Sequence, residues 1–531
     1  MQDKIKAVED RRRRLLEGGD TKEIERQHQQ GKLTARERLA RLFDEGSFQE
    51  IALWIRPIKT GFDIDRRDLP GDAVITGFGM IHGRTVYAYL HDFTVVGGSM
   101  SSGQDHKVTR LMEMAMEARA PYVGVVDSGG VRIHDLFGRP AFRPIQAGRL
   151  GIGGTSGIFA APSIASGVIP QVSLLLGPCY AGSAYSPTLA DFLVMQKETS
   201  FMSVASPQVL KTVTYKNVTH EEIGGAELHA TVTGTADYLA GTDQEAIGFF
   251  RELITYLPLS NDPTTLPVVD THDAPDRRDE ELLNIVPADL SRPYDMHDII
   301  NRIVDDGRFL ELQALFAKSI IIGFARFEGR TVGIVANNPA QDNAVLNVNT
   351  CDKQARFIRF CDSFNIPLVF LVDTPGFSSN ADEERSRDGL IRTAARPVFA
   401  ICEASVPMIV IHIGRCFGPA RLIMGTPRMG VDMTYSWPSA QVARMNPEET
   451  VEVIYGREIN ASDTPGSVKR ERLNEFMKNY IAHPYHAAEQ LLADDIIDPR
   501  DSRFTIIRTL RAFANKEPGP RPWRKHGLIP R

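Results

Sequence analysis

Two stretches of the chain have the residue types to hold a developing negative charge on backbone amides. In the first, the apolar run Leu174 to Leu176 meets Gly177, Pro178, Cys179, Tyr180, Ala181, Gly182 and Ser183, and a helical pattern starts at Ala184. In the second, Ile411 to Ile413 meets Gly414, Arg415, Cys416, Phe417, Gly418, Pro419 and Ala420. A strand that turns tightly into a helix presents unpaired N–H groups at its mouth, and in a dry cleft two such donors stabilise an oxyanion such as a thioester enolate. Glycines at such a turn also let strand and helix pack closely, and spacing alone favours that simpler explanation. The two stretches differ where the chemistry would be, because Gly182 and Ser183 align with Pro419 and Ala420. Proline has no backbone N–H, so the second turn lacks one donor, a loss worth ~3 kcal/mol against a transition-state oxyanion. The plainer reading is that Pro419 fills a favourable first position of a helix.

Other residues offer less. His91 and Asp92 close the strand pattern Thr85 to Leu90; acid–base work is open to them, but a hydrogen bond at the strand end suits them better. GIGGTSG, Gly151 to Gly157, has glycines spaced as in a dinucleotide loop, yet no strand precedes it, so it reads as a flexible loop. GxxxxGK, GxSxG and HExxH do not occur. The five cysteines are an odd number without CxxC or zinc-like His spacing, which points to a reducing compartment with neither disulfides nor a metal.

The elements that must carry these turns come in two sets. DEGSFQEI (Asp44 to Ile51) recurs as DDGRFLEL (Asp305 to Leu312), 261 residues on. ITGFGMIHGRTVYAY from Ile75 recurs as IIGFARFEGRTVGIV from Ile321, with seven of fifteen positions identical and an offset of 246. APYVGVVDSGG from Ala120 recurs at the same offset of 246 as IPLVFLVDTPG from Ile366, and GVIPQVSLLLGPCYAGSA from Gly167 recurs 237 residues on as ASVPMIVIHIGRCFGPAR from Ala404. Collinear matches with drifting offsets describe two copies of one domain with different loop lengths. In each copy short β-branched runs (Pro121 to Val126, Pro367 to Val372) end in Asp-Ser/Thr-x-Gly, and helical patterns (His106 to Ala118, Gly389 to Glu403) lie beside them. Strand, glycine turn and helix, repeated, indicate an α/β fold with a largely parallel inner sheet. Amphipathic helices are expected at Met1 to Glu17 and Arg470 to Leu492.

The Pro- and Asp-rich stretch Asn261 to Glu281 reads as the linker, giving domains at 1–265 and 280–531. With 531 residues and a net charge of −6, the chain has no global attraction for nucleic acid or anionic lipid. No apolar run approaches the ~20 residues of a membrane span and the charged N-terminus is unlike a signal peptide, so a cytoplasmic protein with a small-molecule partner is expected.

The chain resembles the carboxyltransferase (β) subunits of biotin-dependent acyl-CoA carboxylases, such as propionyl-CoA carboxylase. The resemblance is carried by GKLTARERL (Gly31 to Leu39), HDFTVVGGSMS (His91 to Ser101), DSGGVRI (Asp127 to Ile133), GPCYAGSAYSP (Gly177 to Pro187), EEIGGAELH (Glu221 to His229), AKSIIIGFARFEGRTVGIVANNP (Ala317 to Pro339), ARFIRFCDSFNIPLVFLVDTPGF (Ala355 to Phe377) and RPWRKHGLIP (Arg521 to Pro530). It implies two duplicated crotonase-like domains, acyl-CoA bound by the first, biotin approaching from the second domain of a neighbouring subunit, and a hexamer. It also implies an enolate hole at Gly182 and Ser183, with Ser128, Gly129, Gly130, Arg132 and Tyr185 facing the substrate.

The second half departs from the family. The Gly-Ala pair of the family's biotin hole reads Pro419 and Ala420 after Gly418, and an aspartate associated with acyl selection is replaced by Leu422. Phe377 to Gly389 is longer and more charged than usual, Met-Gly becomes Met445 and Asn446, and in the first half Asp135 to Ala165 is extended. The expected activity is therefore decarboxylation of a substituted, bulky or aromatic malonyl-CoA through its thioester enolate, without biotin. The sequence names no proton donor. The alternative is an authentic carboxyltransferase subunit receiving carboxybiotin from a separate chain; a non-catalytic scaffold is the third reading, and the intact Gly182 turn argues against it.

Overall fold

The computed structural model describes residues 1–531 except 58, 138–156, 428, 482, 518, 520–522, 525 and 531, and except the side chain of Leu136. The chain divides into two compact units, Met1–Thr265 and Leu266–Arg531. The division falls inside the Pro- and Asp-rich stretch, and the residues just after it pair with the second unit, where Val269 N–H donates to Gly329 O.

Among the described residues the first unit is built on seven strands in spatial order: β1 (Gln49–Ile51), β2 (Val74–Ile81), β3 (Arg84–His91), β4 (Tyr122–Val126), β5 (Gln171–Leu175), β6 (Phe192–Gln196) and β7 (Tyr238–Ala240). The first three pair antiparallel and the rest parallel. Every residue of β4, β5 and β6 is buried, as parallel strands covered on both faces must be. The helix Ser102–Ala118 crosses from β3 to β4; Ser101 Oγ accepts the Gln104 N–H at 3.1 Å and Arg119 closes the helix in the left-handed region. Its Leu111, Met112, Ala115 and Met116 recur at helical spacing and pack into one core with Tyr122, Leu175 and Met195.

The second unit repeats this with β8 (Leu310–Leu312), β9 (Ile320–Phe327), β10 (Arg330–Asn337), β11 (Leu368–Thr374), β12 (Met408–Phe417), β13 (Met433–Ser436) and β14 (Asp495–Ile496), and Gln441–Ala443 pairs beside β12. The repeated sequence HGRTV/EGRTV has a conformational reason. The β2–β3 hairpin turns at His82 (φ +50°) and Gly83 (φ +71°), and the β9–β10 hairpin at Glu328 (φ +52°) and Gly329 (φ +74°), a two-residue turn whose positive φ values favour glycine at the second position. Both units also keep a buried lysine on the helix behind the sheet. Lys107 Nζ donates to Gly71 O and Val74 O, and Lys353 Nζ donates to Gln313 O, Phe316 O and Ile320 O.

The expected helix at Met1 to Glu17 is present as Gln2–Leu16. The one expected over Arg470 to Leu492 is broken. It runs as Pro465–Phe476, a wider turn Met477–Ile481 and a short helix Tyr485–Glu489, because Pro484, just before the last piece, has no N–H to continue the ladder. Of the glycine-spaced stretch Gly151 to Gly157, residues 151–156 lie outside the described residues, and Gly157 begins the helix Gly157–Ala165.

Candidate active site

In the first unit β4 delivers Asp127, which is 0% exposed, to the carboxyl end of the sheet. Its carboxylate accepts hydrogen bonds from Lys32 Nζ (2.7 Å), Arg38 NH1 (2.8 Å) and Gln27 Nε2 (3.0 Å), and Arg38 Nε also donates to Asp243 Oδ2 at 2.6 Å. Burial pulls the Lys32 ammonium below its ordinary range, against the attraction of Asp127. The cluster explains the Lys and Arg of GKLTARERL, whose contribution the sequence alone did not assign. Gly177 passes so close that an added Cβ would lie 1.8 Å from Asp127 Oδ1, so at this glycine close packing is the full explanation.

The residues after Asp127 are tied to the Gly177 turn and to the segment after β3. Ser128 N–H donates to Pro178 O (3.0 Å), Ser128 Oγ accepts from Gly130 N–H (3.2 Å), and Gly129 N–H donates to Gly97 O (2.8 Å). Arg132 is 3% exposed and its guanidinium is fully engaged with Asp72 Oδ1 (2.6 Å), Ser99 Oγ and Ser99 O. It therefore holds the Ser99 segment in place.

Gly182 and Ser183 lie in a short helical turn, Ala181–Ala184, entered through Ala181 at φ +54°. A Cβ on Gly182 would find its nearest neighbours, Phe159 and Val131, at 3.8 and 3.9 Å. Unlike Gly177, this glycine is not demanded by packing. Ser183 Oγ donates to Tyr180 O at 2.6 Å, and Ser183 lines a small cavity with Tyr89, His91, Gln104, Asp105 and Ser186. Tyr185, half exposed, meets Phe159 edge to face. His91 ends β3; its Nδ1 accepts the Asp127 N–H at 3.4 Å, and burial pushes its pKa down to about 4, which leaves it neutral at pH 7. Asp92 accepts from Thr94 N–H and Oγ1. Both residues make strand-end hydrogen bonds.

The second unit places Asp373, also 0% exposed, at the end of the equivalent strand. Its partners are Arg415 Nε (2.8 Å), Arg415 N–H (3.1 Å) and Tyr294 OH (2.9 Å), and a Cβ on Gly414 would come within 2.2 Å of its carboxylate. Gly418 (φ +63°) stands where Ala181 stands in the first unit, but its N–H already donates to Ala443 O at 3.0 Å. Pro419 has no N–H, and Leu422 N–H donates back to Pro419 O at 2.9 Å. Among the described residues only the amide of Ala420 is left at the head of the short helix Ala420–Ile423, so these residues do not fit a two-amide hole for a biotin carbonyl.

Two of the other departures have structural employment, and of the Asp135 to Ala165 stretch residues 138–156 lie outside the described residues. Asn380 caps the helix Ala381–Arg385 within Phe377 to Gly389, and Glu383 there accepts the Val348 N–H (3.2 Å) at the start of the helix Val348–Ser363, where its charge suits the helix dipole. Asn446 caps Pro447–Ala461 by accepting the Glu448 N–H at 2.9 Å. Sequence reasoning missed Gln104 and Asp105 in the cavity beside Ser183. Their signal was two polar residues in the first turn of a helix that must be buried.

The carboxyl transferase domain family model matches residues 26–529. The chain is 40% identical over 532 residues to the carboxyltransferase subunit of propionyl-CoA carboxylase of Haloferax mediterranei, covering 100% of this chain and 99% of the relative. It is also 40% identical over 530 residues to the alpha subunit of methylmalonyl-CoA decarboxylase of Veillonella parvula, with coverage of 100% and 99%. Among solved structures it matches the transcarboxylase 12S hexamer with methylmalonyl-coenzyme A and methylmalonic acid bound, at 39% identity and a TM-score of 0.92, covering 100% of this chain and 98% of that one. The α/β fold is that of two duplicated crotonase-like units. No helix among the described residues is long and apolar enough to cross a membrane.

Proposed function

Because the chain belongs to the carboxyl transferase domain family of acyl-CoA enzymes, we propose that it decarboxylates a substituted malonyl-CoA to the acyl-CoA without biotin. Relatives of carboxylase and decarboxylase name are equally similar, so the choice rests on one observation. The first unit keeps Gly182 and Ser183 with room in front of them, whereas Pro419 and the engaged Gly418 amide leave the second turn one usable donor. Loss of CO₂ and carboxylation share one thioester enolate, and only carboxylation requires an activated biotin.

In this reading residues 1–265 form the acyl-CoA domain. The thioester oxygen sits against the Gly182 and Ser183 amides, Ser128, Gly129, Gly130 and Tyr185 face the substrate, and Arg132 fixes the wall behind it. As the C–COO⁻ bond breaks, its electron pair moves into the enolate, whose oxygen gains the charge those amides stabilise. The acyl group is bulky or aromatic, a choice suggested by the longer sequence from Asp135 to Ala165, and residues 280–531 form the second, modified domain. The assembly is a homo-hexamer, as in the 12S relative, in a reducing cytoplasm. The competing reading, a carboxyltransferase supplied with carboxybiotin by another chain, is favoured by the carboxylase relatives.

The test is to incubate the purified chain with excess avidin and a panel of alkyl- and arylmalonyl-CoA thioesters, following CO₂ and acyl-CoA. The expected result is turnover of at least one thioester despite avidin. No turnover across the panel, with activity only on adding carboxybiotin, overturns the proposal.

A further inference from the structure

An enolate must be protonated before it leaves as acyl-CoA, and the amides of Gly182 and Ser183 cannot do that. The cavity that Ser183 lines contains two buried side chains with unused polar atoms. Asp105 is 7% exposed and Gln104 is 2% exposed. Among the described residues, Asp105 Oδ2 and both amide atoms of Gln104 have no hydrogen-bond partner. The other oxygen, Asp105 Oδ1, accepts the Ile158 N–H at 3.1 Å, which fixes the carboxyl on the cavity wall.

Asp105 lies in the first turn of the helix Ser102–Ala118, where the helix dipole favours an anion. Burial outweighs that and the Ile158 hydrogen bond, and pushes its pKa up to about 6. The titratable groups sharing the cavity are Tyr89, raised to about 12 by burial, and His91, lowered to about 4. Neither exchanges protons near neutrality. Lys107, two residues on, has its Nζ on Gly71 O and Val74 O. The helix Gly157–Ala165 presents no charge to the cavity, only Ile158.

The duplication supplies an independent control. At the offset of 246 that superposes the two copies, Lys107 matches Lys353, Gln104 matches Thr350 and Asp105 matches Cys351. The scaffolding lysine is in both copies; the carboxyl occurs only in the copy that keeps both amides. Cys351 is no substitute, since burial raises its thiol to about 12.

We propose that the Asp105 carboxyl delivers the α-proton to the enolate, with Gln104 completing the polar wall of the same cavity, a role that rests on the decarboxylase reading. The C–COO⁻ bond breaks and CO₂ leaves with its electron pair retained in the enolate. That pair then forms the new Cα–H bond with the proton on Asp105 Oδ2, the thioester carbonyl is restored, and the resulting Asp105 carboxylate is reprotonated from water.

The experiment uses the full chain, wild type, Asp105→Asn and Asp105→Glu, with avidin. CO₂ release from methylmalonyl-CoA and phenylmalonyl-CoA is followed from pH 5 to 9. Exchange of the α-protons of propionyl-CoA and phenylacetyl-CoA with D₂O is followed by NMR. Wild-type kcat is expected to fall about tenfold per pH unit above about pH 6. Asp105→Asn loses about 10²-fold or more at its optimum, loses that pH limb and abolishes exchange, and Asp105→Glu recovers the limb and part of the rate. CO₂ release and exchange at wild-type levels in Asp105→Asn overturn the assignment while leaving the decarboxylase reading intact. Exchange that depends on Asp105 in a wild type that releases no CO₂ supports the assignment and overturns the decarboxylase reading. A wild type without exchange overturns the assignment.

Discussion

The two halves of the chain hold the same buried carboxylate by different means. Asp127 is neutralised from outside its sheet, by Lys32 and Arg38 of the N-terminal segment, whereas Asp373 is neutralised from within its own sheet, by Arg415 of β12. Around both, steric necessity has preserved the same parts: Gly177 and Gly414 against the carboxylates, the glycine hairpins, and Lys107 and Lys353 on their carbonyls. Among the positions where the copies differ are three that bear on an enolate, namely Gly182 against Pro419, Ser183 against Ala420 and Asp105 against Cys351. A duplicated fold thus separates two kinds of conserved-looking residue, those the scaffold demands in both copies and those that only one copy needs.

The largest test of that separation removes the shared carboxylate. Asp127→Ala leaves the buried Lys32 ammonium without its carboxylate and Arg38 with only Asp243 and Leu176 O, and is expected to cost about 3–5 kcal/mol in urea unfolding. Asp373→Ala strands only Arg415, part of whose guanidinium is still held by Asn343, so its cost should be smaller; equal losses would break the distinction. Next in size, Lys107→Met and Lys353→Met each leave buried carbonyls without their charged donor and should cost about 1.5–3 kcal/mol by the same measurement. Similar losses sharpen the view that both lysines are scaffold, and a loss confined to one would contradict it.

The smallest effect at neutral pH concerns the two buried histidines. Burial lowers both His91 and His412 to about 4, below the ~6.5 of an unfolded histidine. The unfolded chain therefore binds protons more tightly, so the stability present above about pH 6.5 is lost as pH falls toward 4. Asp105 runs the other way: its pKa of about 6 lies above the unfolded value, so its contribution is lost as pH rises through about 6. Thermal melts of His91→Asn and His412→Asn between pH 7 and 5 should each lose less stability than wild type. A wild-type slope in either variant would show that histidine to be solvated.

Much of this architecture was legible because it depends on local pattern. The hairpin HGRTV, the β-branched runs and the Gly177 turn declare themselves through residue type and spacing, and the self-comparison aligned Gly182 with Pro419 without coordinates. The partners of Asp127 were not legible, because Gln27, Lys32, Arg38 and Asp243 meet only after distant segments converge. Asp105 was hidden for a related reason, since in sequence it is one more polar residue near a helix start. The structure shows that it is buried with one oxygen unpaired among the described residues. Arg132 is a motif arginine whose contacts with Asp72 and Ser99 its sequence position did not show.

The central claim, that the enolate is handled by the turn of the first copy and not by that of the second, is tested most directly by reciprocal exchange. CO₂ release from methylmalonyl-CoA is measured side by side for Gly182→Pro and Pro419→Gly. A Cβ at Gly182 would meet Phe159 and Val131 only at ordinary contact distance, and Gly182→Pro should lower kcat by about 10²–10³ through loss of one amide donor. Pro419→Gly should remain within about threefold of wild type. A large loss in Pro419→Gly, or wild-type release by Gly182→Pro, would contradict it.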